Sequence, residues 1–135
     1  MIDPFDIGDL DNDALDEEAL RQDALRTPQL LPPPSMPMQV ARVFVDQAYA
    51  ADGLLTLHHW RGGWWIWRKS HWVEAEDRTV RSLLYCFTER AVYPAGDKML
   101  PWGPNRRKIG DLAEALSAIC LLPGDRDQPS WLESV

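Results

Sequence analysis

Four tryptophans in eight positions constrain this chain more than any other feature: Trp60, Trp64, Trp65 and Trp67 flank Arg61-Gly62-Gly63. Arg61-Gly62-Gly63 reads as a tight turn, so Leu54–Trp60 and Trp64–Lys69 read as the arms of an antiparallel hairpin. Ser70-His71 makes a second turn into a short strand, Trp72–Ala75. Side chains alternate along a strand, which puts Trp64 and Ile66 on one face and Trp65 and Trp67 on the other. A one-layer meander normally keeps one face wet. Rings on both faces therefore predict one set covering the helices, with Trp64 or its opposite neighbour in the core, and another set at a surface.

The rest of the pattern is helical. Val40, Val43, Phe44, Gln47, Ala48 and Ala51 follow the 3.6-residue period and stop at Asp52-Gly53. Asp77 reads as the cap of a second helix, whose apolar positions Val80, Leu83, Leu84, Phe87 and Ala91 run up to Tyr93-Pro94. A loop containing Gly96, Pro101, Gly103 and Pro104 follows. Asn105 reads as the cap of a third helix, with Ile109, Leu112, Ala113, Leu116 and Ile119 inward and a stop at Pro123-Gly124. The predicted fold class is α+β: an N-terminal helix, a three-stranded antiparallel meander and two C-terminal helices.

Charge divides the chain. Met1–Leu30 carries nine acids against Arg21 and Arg26, Arg42–Lys108 carries eleven bases against seven acids, and Ile109–Val135 carries one base against five acids. A mildly basic middle thus lies between acidic ends. The acidic start is too poor in apolar residues to order itself, and Leu31-Pro32-Pro33-Pro34-Ser35-Met36-Pro37 must run extended. Residues 1–36 are expected to be a disordered segment and linker, and 37–135 a small domain. No apolar run approaches the roughly 20 residues of a membrane span, and the first residues are acidic where a signal peptide is basic. Cys86 and Cys120 match no zinc or redox spacing. Together these features predict a cytoplasmic chain without a membrane partner.

Enzyme motifs are missing: no phosphate-binding glycine loop with its lysine, no His-Glu-x-x-His and no serine elbow. His58, His59 and His71 lie near one another across the hairpin, but no cysteine or carboxylate completes a ligand set, so neither a metal nor another cofactor is expected. Glu74, Glu76 and Asp77 read as acids placed against a helix dipole. Arg106, Arg107 and Lys108 do the opposite, putting three cations in a first helical turn. That conflict would be resolved by a bound phosphate, or by solvent with Asp111 and Glu114 one turn on.

Three stretches resemble a known arrangement. They are Pro37-Met38-Gln39-Val40-Ala41-Arg42-Val43-Phe44; Thr56–Trp67 with its Trp60-Arg61-Gly62-Gly63-Trp64 core; and Trp72–Arg81. Asn105-Arg106-Arg107-Lys108-Ile109 and the ending Pro129-Ser130-Trp131-Leu132 extend the likeness. Together they are similar to the poxvirus-type primase N-terminal-like segment that precedes the superfamily-3 helicase ATPase in phage and plasmid primase–helicases, in particular those of actinobacterial phages and prophages. The resemblance covers about Pro37–Leu132. The catalytic residues of that family carry over to nothing here, because neither a Walker lysine nor a primase-polymerase domain is present in this sequence.

The resemblance implies a non-catalytic DNA-replication module. Its partners would be single-stranded DNA or primer–template and a helicase ATPase subunit or domain. In that reading Arg61, Trp65, Trp67, Arg68 and Lys69 form a stacking and charge surface, and Arg106, Arg107 and Lys108 hold phosphate. The alternative is a protein–protein adaptor or homo-oligomerisation module whose exposed tryptophans dock on a helicase or a sister subunit without touching nucleic acid.

Overall fold

The structure, a computed structural model, describes residues 17–26, 28–68 and 70–122. It is α+β with antiparallel sheets. Helix α1 (Pro37–Ala48) leads into a miniature hairpin, β1 (Ala50–Ala51) and β2 (Leu54–Leu55), closed by Asp52-Gly53 with both φ angles positive. The meander follows as β3 (Leu57–Trp60), β4 (Gly63–Arg68) and β5 (His71–Ala75), paired in that order. Helix α2 (Asp77–Thr88), a second hairpin of β6 (Val92–Ala95) and β7 (Lys98–Pro101), and helix α3 (Arg106–Ile119) complete the order. Among the described residues no helix is long and apolar enough to cross a membrane.

Two strand assignments differ from the sequence expectation. The single strand read over Leu54–Trp60 breaks at Thr56, because Leu54 and Leu55 turn back to pair with Ala51 and Ala50. That pairing also ends α1 at Ala48. The loop read after the second helix holds the β6–β7 hairpin, with Gly96 at φ +68° in its turn. Pro94 argued against a strand because it has no N–H to give. It pairs across from Met99, next to the turn-closing pair Ala95–Lys98, where an antiparallel ladder asks its residues for no mutual hydrogen bond.

The core lies between the three helices and the inner face of the meander. Val40, Phe44, Leu83, Leu84, Phe87, Ile109, Leu112 and Leu116 fill it from the helices, and Leu57, Trp64 and Ile66 from the sheet. The Phe44 ring meets Phe87 edge-on, with centroids 5.0 Å apart. Trp102, in the loop ahead of α3, is fully buried, and its Nε1 donates to the Pro32 carbonyl at 3.2 Å. Leu31 is buried too, and its amide donates to Val92 O at 2.9 Å while the Val92 amide donates to Gln29 O at 3.0 Å. The proline-rich stretch therefore lies against the domain along β6. Residues 17–25 wind helically with φ between 37° and 67°. The segment packs onto the domain: Ala24 is buried in the core, Leu20 and Leu25 lie against it, and the buried Glu17 carboxylate accepts from the Tyr49 hydroxyl and from Arg68.

The free edge of β3 is covered by the chain leaving α3. His59 N donates to Cys120 O at 2.9 Å, and Leu122 N donates to His59 O at 2.8 Å. This contact runs parallel to β3 and joins the end of α3 to the meander.

Candidate nucleic-acid interface

The β3–β4 turn sets up the outer face. Arg61 (φ +49°) and Gly62 (φ +81°) are both left-handed, the geometry of a two-residue turn that matches strand twist. With the turn fixed, register fixes the faces: Leu57 opposes Ile66, His59 opposes Trp64, His58 opposes Trp65, and Trp67 opposes Trp72. Leu57, His59, Trp64, Ile66, Val73 and Ala75 then point at the helices. His58, Trp60, Trp65, Trp67, Trp72 and Glu74 point away from them.

The outward set is an aromatic layer. Trp60 meets Trp65 with centroids 6.1 Å apart and planes at 77°, and Trp67 meets Trp72 at 5.4 Å and 62°. His58 lies 4.8 Å from the Trp72 ring. All four indoles are half-buried. The Arg61 guanidinium sits 4.6 Å above the Trp60 ring, a cation–π arrangement. Gly63 leaves room for Glu74 at the edge of the layer: a Cβ there would lie 3.0 Å from Glu74 Oε2.

Of the residues expected at this surface, Arg61, Trp65 and Trp67 come together. Arg68 does not join them. It falls on the Trp64–Ile66 side of β4 by strand alternation, with Nη2 3.0 Å from Glu17 Oε1. Lys69 lies outside the described residues. Trp60 and Trp72 belong to the layer although sequence reasoning left them out of the site. The signal for Trp72 was the short connection to the next strand: the turn expected at Ser70-His71 falls earlier, His71 already pairs with Arg68, and Trp72 therefore stands opposite Trp67.

The basic start of α3 also divides. Asn105 caps the helix as expected, its Oδ1 accepting from Lys108 N at 2.8 Å. Lys108 Nζ, however, donates to Trp102 O at 2.8 Å and Gly103 O at 2.9 Å. It locks the loop that holds the buried Trp102. Arg106 and Arg107 are exposed and line a depression between α2 and α3 with Arg81. The conflict with the helix dipole is thus met by neither Asp111 nor Glu114 in an ion pair among the described residues.

Asp77 ties the meander to that depression. Its Oδ1 accepts from Trp64 Nε1 at 3.1 Å, and its Oδ2 accepts from Arg81 Nε at 2.9 Å. Those two hydrogen bonds, Arg81's first, hold the Asp77 carboxyl below its ordinary range. Asp77 is not the cap that its place in the sequence suggested: it is the first residue of α2, Glu76 holds the cap position without a side-chain capping bond, and the Asp77 carboxylate is turned to those two donors instead. His59, beside Trp64 at 4.6 Å, is pushed down by burial, with Asp77 partly opposing. The three histidines do not converge: His58 and His59 take opposite faces of β3, and no metal-binding cluster exists among the described residues.

No protein-family model, curated protein or solved structure matches the chain. Functional inference therefore rests on the residues themselves.

Proposed function

We propose that this chain is a non-catalytic DNA-replication module, of the kind found beside phage-type helicase ATPases, that binds single-stranded DNA on the outer face of its meander. One observation carries the reading: four indoles and a histidine on one sheet face, with Arg61 stacked at the rim. A core needs no such second layer, because the inner face already supplies Leu57, Trp64 and Ile66 to the helices. Aromatic faces take up unpaired bases irrespective of sequence, each stack contributing about 1–3 kcal/mol. The primase–helicase resemblance supplies the context, and the helicase ATPase would be the partner that such a module positions on the strand.

Fluorescence anisotropy with a labelled oligothymidine at low salt tests this. Binding should weaken as salt rises, and Trp65→Ala with Trp67→Ala should abolish most of it while leaving the fold intact. A wild-type protein that binds no oligonucleotide at ~100 μM would instead give the aromatic face to a protein partner.

A further inference from the structure

Helices α2 and α3 meet along a depression of about 760 Å³ lined by Arg81, Tyr85, Arg106, Arg107, Gly110 and Asp111. Arg81 and Tyr85 stand one helical turn apart on α2, and Arg106 and Gly110 one turn apart on α3, so the two helices face each other across it. Gly110 forms the floor beneath Arg81, whose Nη1 lies 3.8 Å from where a Cβ would stand, an ordinary van der Waals contact. Arg81 is aimed, not loose: its Nε is held by Asp77, leaving the Nη groups toward α3. Arg106 and Arg107 have no carboxylate within ion-pair distance among the described residues. Tyr85, 40% exposed, supplies an aromatic wall.

We propose that this depression is a phosphodiester site for single-stranded nucleic acid, with Arg81, Arg106 and Arg107 on a backbone phosphate and Tyr85 against the adjacent base. The inference rests on the single-strand reading above and adds Arg81 and Tyr85 to it as a second point of contact, away from the tryptophan layer. The charge selects the ligand. Three guanidinium groups are offset by Asp111 in the lining and by Asp77 behind Arg81, leaving a modest positive balance that suits the single charge of a phosphodiester. A nucleoside triphosphate would bring several negative charges beside Asp111, more than that balance offsets. The fork of a guanidinium matches two phosphate oxygens at once, which a lysine does not.

The test is a salt titration of labelled oligothymidine binding to the full chain and its variants. Arg106→Ala with Arg107→Ala should weaken binding and flatten the plot of log affinity against log salt by about one unit. Tyr85→Ala should weaken binding roughly 5- to 20-fold, and Tyr85→Phe should restore it. The arginine variant should melt like the wild type, since neither side chain is buried. Unchanged affinity and slope in the arginine variant, with binding lost in Trp65→Ala/Trp67→Ala, would overturn the depression as a site and leave the sheet-face reading standing. No oligonucleotide binding by the wild type would overturn both. Displacement of the oligonucleotide by micromolar ATP without added metal would overturn the phosphodiester assignment in favour of a nucleotide.

Discussion

Trp64 and Asp77 are joined by a hydrogen bond of 3.1 Å from the indole nitrogen to Oδ1, which fastens the middle strand of the meander to the first turn of α2. The donor belongs to a side chain only 2% exposed, while the acceptor stands at the surface and also holds Arg81. A single exposed carboxylate thus satisfies a core indole and aims a surface guanidinium. Asp77→Ala should cost about 1–2 kcal/mol in urea unfolding, since it strands the buried N–H. Asp77→Asn keeps an acceptor and should cost less than half as much. Equal losses in the two variants would show that charge, not the acceptor, is what Trp64 uses.

Acid should weaken the fold in two stages. Burial lowers the His59 pKa, so the unfolded chain takes up that proton first, and stability falls as pH drops through about 6.5. Asp77 has a depressed pKa, so its contribution is present above its ordinary value of 3.8 and is lost as pH falls below it. His59→Gln should flatten the dependence of the urea midpoint between pH 7 and 5 and leave the drop below pH 4 in place. An unaltered slope between pH 7 and 5 would assign the effect to another group.

The amino-terminal boundary of the folded unit can be placed by truncation. Removing residues 1–26 should keep unfolding cooperative but cost about 1–3 kcal/mol, because it strands the Tyr49 hydroxyl and the Arg68 guanidinium that Glu17 accepts from. Removing residues 1–34 should cost about 3–5 kcal/mol, because it deletes the fully buried Leu31 and the carbonyl of Pro32 that accepts from Trp102. Thermal melts monitored by near-ultraviolet circular dichroism, which reports the tryptophan environment, distinguish the two. Equal melting temperatures for both truncations would return Leu31–Pro37 to the status of a linker.

The strands of the meander and their faces were legible in the sequence because strict alternation sorts Trp64 from Trp65 and Trp67, but the register was not: the turn read over Arg61-Gly62-Gly63 closes on Arg61-Gly62 alone, so Gly63 pairs with Trp60 and Trp64 with His59. The helix cores were legible by period. Side-chain partners across the fold were not. Nothing local in Leu31-Pro32-Pro33 announces that Trp102 will close on it, because that contact joins positions 70 residues apart. The β6–β7 hairpin was hidden by Pro94, which is tolerated only because of its place in the ladder. Arg106, Arg107 and Lys108 are consecutive, but helical geometry turns Lys108 back onto the preceding loop while its neighbours face α2. The depression itself needs Arg81 and Tyr85, whose pairing with α3 depends on how the helices pack.

That division within the basic turn gives the last prediction. Lys108 Nζ satisfies two carbonyls in the loop that carries Trp102, so Lys108→Ala should destabilise the domain by about 1–2 kcal/mol. The same change should leave the salt dependence of oligonucleotide binding unaltered, because the ammonium is already committed to Trp102 and Gly103. Arg106→Ala/Arg107→Ala should show the reverse, with a wild-type urea midpoint and a flatter salt slope. Removing cations that oppose the α3 dipole costs nothing and should even raise stability by a few tenths of a kcal/mol. The two variants measured side by side separate a cation that builds the loop from cations that meet a phosphate. A flattened slope in Lys108→Ala at an unchanged urea midpoint would place the lysine on the ligand after all.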